Sequence, residues 1–387
     1  MRSVSIPCKI KDGTMIDCFA AHNSFWIDPQ GHVRPCARYK EKMEHITTFD
    51  SFSDVVNSKG YIEIRQSHSN GQWPSGCFRC KEDEEKNLHS KRQFYQDIGL
   101  KQPDDFMIDI SMGNYCNLKC RMCGPNNSTS WNSDFKFLVD NNLFKDPGID
   151  LSAYQLSESD IDKLITHLSQ IKGDIFIELK GGEPLIIPET EKLVNRLLTL
   201  PNVDKITLLI VTNGTVVPAW ISTIQSRIKR LQLVVSVDGI DDVYDYIRGT
   251  EKFSFKDCLK NIEYYNSLDN IELRFNIVVQ NLNIHQMLET YELLESKFAV
   301  PINYITLSMP KMLSVNVMPK KSRNEIYQKF LNNRHKFGIY QEQMTNIHEI
   351  LNVDPDDKLL EQFKTITLAL DTRRNQDVQE ILPHLVN

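Results

Sequence analysis

Long hydrophobic runs are missing from this chain of 387 residues: no stretch of 18 or more apolar residues occurs, so no membrane-spanning helix and no membrane partner are expected. The start, Met1-Arg2-Ser3-Val4-Ser5-Ile6-Pro7-Cys8, lacks the apolar stretch of a signal peptide, and a cytoplasmic location is expected. Excess positive charge is missing too. Lys and Arg number 45 against 51 Asp and Glu, a net charge of -6, so no global basic field draws nucleic acid, and a nucleic-acid partner is not expected. Repeats and low-complexity segments are absent, and the ten histidines form no close pair at metal-ligand spacing. A composition of 41% hydrophobic and 25% charged residues excludes disorder or fibre for the whole chain.

What the chain has is cysteine in tight groups. Nine in a reducing compartment, an odd total, point to metal ligation rather than disulfides. Cys116, Cys120 and Cys123 stand in a CxxxCxxC loop directly after the strand-like stretch Phe106 to Met112. Three soft thiolates leave one corner of a metal site open, and an open corner is where a small molecule binds. Core cysteines, or zinc with a distant fourth ligand, are the plainer alternatives. Upstream, Cys18 and Cys36 flank two short strands around a Pro-Gln-Gly-His turn, and Cys77 and Cys80 form a CxxC. Four cysteines complete either a structural zinc site or a 4Fe-4S site, and spacing alone does not separate them. Cys258 shares a helical face with Phe255, Ile262 and Tyr265 and reads as core; Cys8 precedes any element. The charge-dense segment Lys81 to Lys86 reads as a solvated helix start.

From Phe106 onward, β-branched runs alternate with helical patterns, the signature of parallel βα units. Six strands are expected: Phe106 to Met112, Asp174 to Leu179, Lys205 to Val211, Leu231 to Val237, Glu272 to Val279 and Ile302 to Met309. Ser157 caps a helix carrying Ile161, Leu164, Ile165, Leu168 and Ile171 on one face, and later helices are expected at Glu189 to Leu200, Pro218 to Arg227, Ser254 to Asn266 and Ile284 to Lys297. The fold class is α/β, a partial (β/α)6 TIM-like barrel. In such barrels the reacting groups come from loops after the strands.

Those loops hold a matching series. Lys180-Gly181-Gly182-Glu183-Pro184 follows the second strand, Thr212-Asn213-Gly214-Thr215 the third, and Ser236-Val237-Asp238-Gly239 the fourth, with Tyr246-Ile247-Arg248-Gly249 beyond. Each alone reads equally as turn, capping or surface chemistry. Their order along six strands resembles the radical S-adenosylmethionine (radical SAM) superfamily, from about Phe106 to Met309. The resemblance implies that Cys116, Cys120 and Cys123 bind a 4Fe-4S cluster whose fourth iron holds SAM. It also implies that Gly181, Gly182 and Glu183 hold the methionyl amine, that Ser236 and Asp238 lie by the ribose and sulfonium, and that Arg248 meets the SAM carboxylate. Thr212 and Asn213 join this cofactor-binding set. Met122 departs from the aromatic residue common before the third cysteine.

The pattern of Cys18, Gly31, Cys36, Cys77 and Cys80 resembles the auxiliary-cluster region called a twitch domain, a half-length relative of SPASM, here preceding the barrel. Ser51 to Ser58 and Tyr61 to Arg65 resemble its helix after the second cysteine. The expected division is 1-104, a small cysteine-rich α+β auxiliary 4Fe-4S domain; 105-310, the barrel; and 311-387, a helical C-terminal extension. The ending, Ala369 to Asn375, holds no motif that translates into chemistry, and Tyr244, Tyr246 and Tyr304 read as packing rather than relays. The resemblance implies a SAM-cleaving oxidoreductase with two 4Fe-4S clusters, acting on a peptide or protein side chain. A flavodoxin or ferredoxin is the expected electron donor. The alternatives are the same chemistry on a sugar, nucleotide or amino-acid-derived metabolite, and a noncatalytic iron-sulfur or zinc protein.

Overall fold

A computed structural model of the chain describes residues 15–41, 43–86, 88–224, 226–248, 252–307, 309–333, 335–336, 351, 356–382 and 385. Cys8 and Gly249, singled out above, lie outside the described residues.

The strands are β1 (Ser24–Ile27), β2 (Val33–Arg34), β3 (Phe106–Ser111), β4 (Ile175–Lys180), β5 (Ile206–Thr212), β6 (Arg230–Ser236), β7 (Ile271–Val279) and β8 (Ile302–Thr306). They form one sheet in the order β2-β1-β3-β4-β5-β6-β7-β8. Only β2 runs antiparallel; every other neighbouring pair is parallel. β2 and β8 are opposite edges, which leaves the barrel open. The six strands expected from Phe106 onward are all present, each starting within one residue of its expected place.

Period-two side-chain alternation sets the two faces of the sheet. On β4, Ile175, Ile177 and Leu179 are fully buried against the helical layer, while Phe176, Glu178 and Lys180 are partly exposed on the inner face. Register carries that inner face across the sheet. Trp26 and Asp109 are paired, as are Asp109 and Glu178, Ser111 and Lys180, Ser236 and Asn276, and Val278 and Ile305.

The N-terminal part contributes α1 (Ala20–Asn23), α2 (Phe52–Val56), α3 (Lys59–Ser69), α4 (Phe78–Glu85) and α5 (Lys91–Asp97). The expected turn is there. The Asp28 carboxylate accepts from the Gln30 and His32 amides at 2.9 Å, and Gly31 takes φ +82°, a left-handed conformation open to glycine. Among the described residues this part builds no sheet of its own: β1 docks on β3, with Phe25 and Ile27 buried in the barrel core, which removes an exposed parallel edge. Segment Lys81 to Lys86 is the end of α4 rather than a helix start, because the helix already begins beside Cys77. Within it Glu84 is buried in an ion pair with Arg92 of α5, at 2.8 Å.

Around the barrel lie α6 (Asn132–Asp140), α7 (Glu158–Leu168), α8 (Pro188–Leu197), α9 (Ile221–Ile224), α10 (Asp241–Arg248), α11 (Phe255–Asn266) and α12 (Met287–Phe298). Ser157 caps α7 by accepting from the Asp160 amide, and Ser254 with Asp257 forms a reciprocal capping box on α11. Cys258 is buried with Phe255, Ile262 and Tyr265, as its helical face requires. Helix α9 is much shorter than the expected Pro218 to Arg227. Trp220, Ile221 and Ile224 bury its apolar patch, and Ile228 is buried from the segment that leads into β6. After the barrel come α13 (Lys320–Asn333), α14 (Asp357–Arg374) and α15 (Val378–Ile381). Among the described residues no helix is long and apolar enough to cross a membrane.

Candidate active site and auxiliary cysteine centre

The loop carrying Cys116, Cys120 and Cys123 leaves the C-terminal end of β3, and its carbonyls are closed one by one. Ser130 Oγ donates to the Cys116 carbonyl at 2.7 Å, Ser128 Oγ to that of Leu118 at 2.6 Å, and Trp131 Nε1 to that of Cys120 at 2.7 Å. The Arg121 amide in turn donates to the Ile247 carbonyl of α10 at 2.7 Å, and the loop is thereby held in one shape. Sequence reading missed Ser128, Ser130 and Trp131, although their short hydroxyl-rich run just after the third cysteine was visible. Met122 is half-buried against Cys116, Leu118 and Cys120.

Gly181 and Gly182 both take positive φ, +81° and +55°. A Cβ on Gly182 would strike the Tyr115 backbone, and one on Gly181 the Ser111 hydroxyl. The Glu183 amide donates to the Tyr115 carbonyl at 2.8 Å, so this segment lies flat against the start of the cysteine loop. The Glu183 side chain is 1% exposed. Its Oε1 accepts from the Leu185 amide at 3.0 Å and Thr212 Oγ1 at 2.8 Å, and its Oε2 from the Asn213 amide at 2.6 Å. A carboxylate offers about four lone-pair directions, so one remains. Burial pushes the Glu183 carboxyl up to about 7 against the pull of those donors.

Asn213 joins the two loops. Its Nδ2 donates to Asn117 Oδ1 at 3.0 Å and points to Cys116 Sγ at 3.8 Å, while Asn117 Nδ2 donates to Thr215 Oγ1 at 2.8 Å. On the far side, Arg248 Nη2 pairs with Asp238 Oδ2 at 2.8 Å, and its Nη1 lies 3.7 Å from Cys120 Sγ. Asp238 is fully buried, with Oδ1 accepting from the Val278 amide at 2.7 Å, so it holds Arg248 rather than standing free. Arg248 Nε has no partner among the described residues. Ser236 is partly exposed at the end of β6 on the inner face. Thus Glu183, Thr212 and Asn213 gather at Cys116, whereas Asp238 and Arg248 gather at Cys120.

Burial pushes the Cys116 and Cys123 thiols up to about 12, and that of Cys120 upward against the Arg248 charge. Binding a metal centre therefore requires these thiols to lose their protons. Among the described residues no three His, Cys, Asp or Glu side chains stand at the spacing of a single metal ion. The donor set fits an iron-sulfur cluster bearing a ligand on its fourth corner: three thiols, N–H groups of Asn213 and Arg248 aimed at two of them, and one open acceptor direction on Glu183.

At the other end of β3 lies the second centre. Cys18 precedes α1, Cys36 follows β2, and Cys77 and Cys80 stand at the start of α4. Cys18 and Cys36 pack with Tyr95 and with Met107 and Phe176, the first inner-face residues of β3 and β4. All four thiols are shifted upward, burial being the largest cause in each, with Cys18 pushed up to about 12. Backbone amides of Ala20 and Ala21, of Arg38 and Tyr39, and of Lys91 and Arg92 aim at Cys18, Cys36 and Cys80 respectively. Such donors stabilise thiolates bound to a cluster. Between the two centres the inner face of β3 and β4 carries Asp109, Lys180 and Glu178, with Lys180 Nζ 2.5 Å from Asp109 Oδ2 and 3.1 Å from Glu178 Oε1.

A partial βα barrel with an open three-thiol loop at its C-terminal end and a four-thiol centre at the other is a two-centre cluster protein. The Radical SAM superfamily matches residues 110–294, and the SPASM iron-sulfur cluster-binding domain matches residues 18–81. The chain is a radical SAM enzyme, with a SAM-binding 4Fe-4S cluster, SAM and an additional iron-sulfur cluster as cofactors. It is 28% identical over 236 residues to an uncharacterized protein of Methanocaldococcus jannaschii, covering 60% of this chain and 72% of that one. It is 27% identical over 192 residues to GTP 3',8-cyclase of Staphylococcus epidermidis, covering 49% of this chain and 51%, about half, of that one. Among solved structures it resembles native anSMEcpe with bound AdoMet and Cp18Cys peptide, at 17% identity and TM-score 0.42, covering 64% and 62% of the two chains. It also resembles Streptococcus suis SuiB bound to precursor peptide SuiA, at 14% identity and TM-score 0.41, covering 76% of this chain and 64% of that one. Likenesses this distant assign no residue its role.

Proposed function

We propose that this enzyme reductively cleaves SAM and abstracts a hydrogen atom from a peptide or protein side chain, an oxidative modification in which the auxiliary cluster accepts an electron. The observation that carries it is the inner face of the sheet, partly exposed at β4 and exposed at β7 and β8, which runs past the two cysteine centres. They lie at opposite ends of β3, roughly 20 Å apart for six residues at about 3.3 Å each. On the β7–β8 side of that face, Arg274 and Asn303 are exposed and Ile305 is 40% exposed. A broad lateral opening admits a segment of a larger chain more readily than it encloses a small metabolite.

In this reading Cys116, Cys120 and Cys123 hold the SAM cluster, and Cys18, Cys36, Cys77 and Cys80 the auxiliary one. The remaining acceptor direction of Glu183, reached past Gly181 and Gly182, takes the methionyl amine, with Thr212 and Asn213 fixing the carboxylate. Arg248 turns its free Nε toward the SAM carboxylate, Asp238 holds that guanidinium in place, and Ser236 lies by the ribose. Bound cluster and SAM supply the radical that removes hydrogen from carbon; the protein positions the substrate and excludes water. The parts 1-104, 105-310 and 311-387 act as auxiliary, barrel and covering units, and a flavodoxin or ferredoxin supplies the reducing electron.

Anaerobic reconstitution tests this. Expected are about eight irons per chain, a paramagnetic resonance spectrum altered by SAM, and 5'-deoxyadenosine on reduction. Cys120→Ala should abolish cleavage while the auxiliary centre stays filled; unchanged cleavage would overturn the site. Mixed synthetic peptides should stimulate 5'-deoxyadenosine release and lose two hydrogens per turnover. Stimulation by a nucleotide or sugar pool alone would transfer the assignment to a small-molecule substrate, the alternative that the cyclase likeness favours.

A further inference from the structure

The C-terminal helix α14, which the sequence left without chemistry, reaches the cysteine loop with two buried charged residues. Arg374 is buried, and its Nε donates to Asp134 Oδ2 of α6 at 2.8 Å. Its guanidinium lies 4.8 Å from the centroid of the Trp131 ring, the same ring whose Nε1 holds the Cys120 carbonyl. Both terminal nitrogens, Nη1 and Nη2, are buried without an acceptor among the described residues. Its charge is paired with Asp134, but two idle buried N–H donors remain costly unless a further acceptor is their partner. Asp371, one turn earlier, pairs with Arg121, the residue directly after Cys120. It also accepts from the Tyr246 hydroxyl at 3.0 Å and the Val378 amide at 2.8 Å. Gln376 accepts from the same Arg121 at 2.8 Å, and Ile366 and Leu370 of α14 pack with Trp131 beside Cys123.

We propose that Arg374 is a positioning residue of the radical-initiating centre, its guanidinium offering free N–H donors and positive charge to the cluster on Cys116, Cys120 and Cys123, with Asp371 locking the loop through Arg121. This rests on the assignment of the SAM cluster to those cysteines. The protein thereby sets the cluster's potential from a helix some 250 residues away in sequence. A cation beside an anionic cluster favours its reduced state, and N–H donors toward its sulfurs act in the same direction.

The test is redox titration of the SAM cluster in the reconstituted full-length enzyme, followed by paramagnetic resonance with and without SAM. Arg374→Met should move the midpoint of this cluster to a more negative potential, alter its SAM-bound spectrum, and leave the auxiliary signal in place. SAM cleavage should fall by about 10- to 100-fold. Arg374→Lys, which keeps the charge, should recover most of the potential. Asp371→Asn should broaden the SAM-bound spectrum, as a loosened loop samples several shapes. A Met variant with full iron and unchanged potential and spectra would overturn the proposal. Should Arg374→Met lose its iron, the Lys variant decides: recovery of iron and potential supports the role of charge, and failure to recover either defeats it. Failure of the underlying site assignment looks different, because the unaltered enzyme would then show no spectral response to SAM.

Discussion

Gly182 shows how one backbone angle serves the site. At φ +55°, with the Tyr115 backbone where a Cβ would go, no other residue fits without strain. Gly182→Ala should lower stability by about 1–3 kcal/mol, read as a lower denaturant midpoint, and should weaken SAM binding by displacing Glu183. Glu183 itself is the sharper probe. Its oxygens accept from Leu185, Thr212 and Asn213, so Glu183→Gln sets an amide N–H against one of those donors. The dissociation constant for SAM should rise by about tenfold or more, measured by calorimetry on reconstituted protein, with little change in iron content. An unaltered constant would place the methionyl amine elsewhere. The glycines and the acid were legible as a motif. Their mutual hydrogen bonds were not, because Glu183 meets Thr212 and Asn213 across 29 and 30 residues of sequence.

The strands of the barrel were legible to within a residue at their starts because β-branched runs broken by turn residues leave a local signal, and caps such as Ser157 and Ser254 mark helix starts in the same way. What pairs across elements leaves no such signal. Arg121 with Asp371, and Asp134 with Arg373 and Arg374, are ion pairs between the cysteine-loop region and α14, invisible in composition or period. Helix α7 carries another such contact. Its His167 packs against Phe25, Phe52 and Phe106, and burial holds the imidazole down to about 4. The folded state therefore keeps His167 neutral where the unfolded chain, at 6.5, takes a proton. The contribution is whole above that ordinary value and is lost as the pH falls from 6.5 toward 4, at no more than about 1.4 kcal/mol per pH unit. His167→Phe should flatten this acid limb, visible as a shrinking difference in urea midpoint between variant and parent as the pH rises.

For the molecule as a whole, the four upstream cysteines were legible as a set, but their attachment to the barrel was not. Spacing says that Cys18, Cys36, Cys77 and Cys80 gather; only the pairing of β1 with β3 shows that they gather beneath the inner face. Replacing Cys77 and Cys80 together by Ser should lower the iron from about eight to about four per chain and leave SAM cleavage intact while peptide product falls away. Loss of cleavage as well would show that the two centres do not work separately. The strand that carries this attachment has a further effect in the growing polypeptide. Residues 24–27 leave the ribosome some eighty residues ahead of 106–111, the segment on which they must dock. Until then the early thiols have no floor to close upon, and a contact of such high sequence separation forms slowly. The barrel is thus the template for the upstream thiols, the first cysteines made coming to rest on a strand made after them.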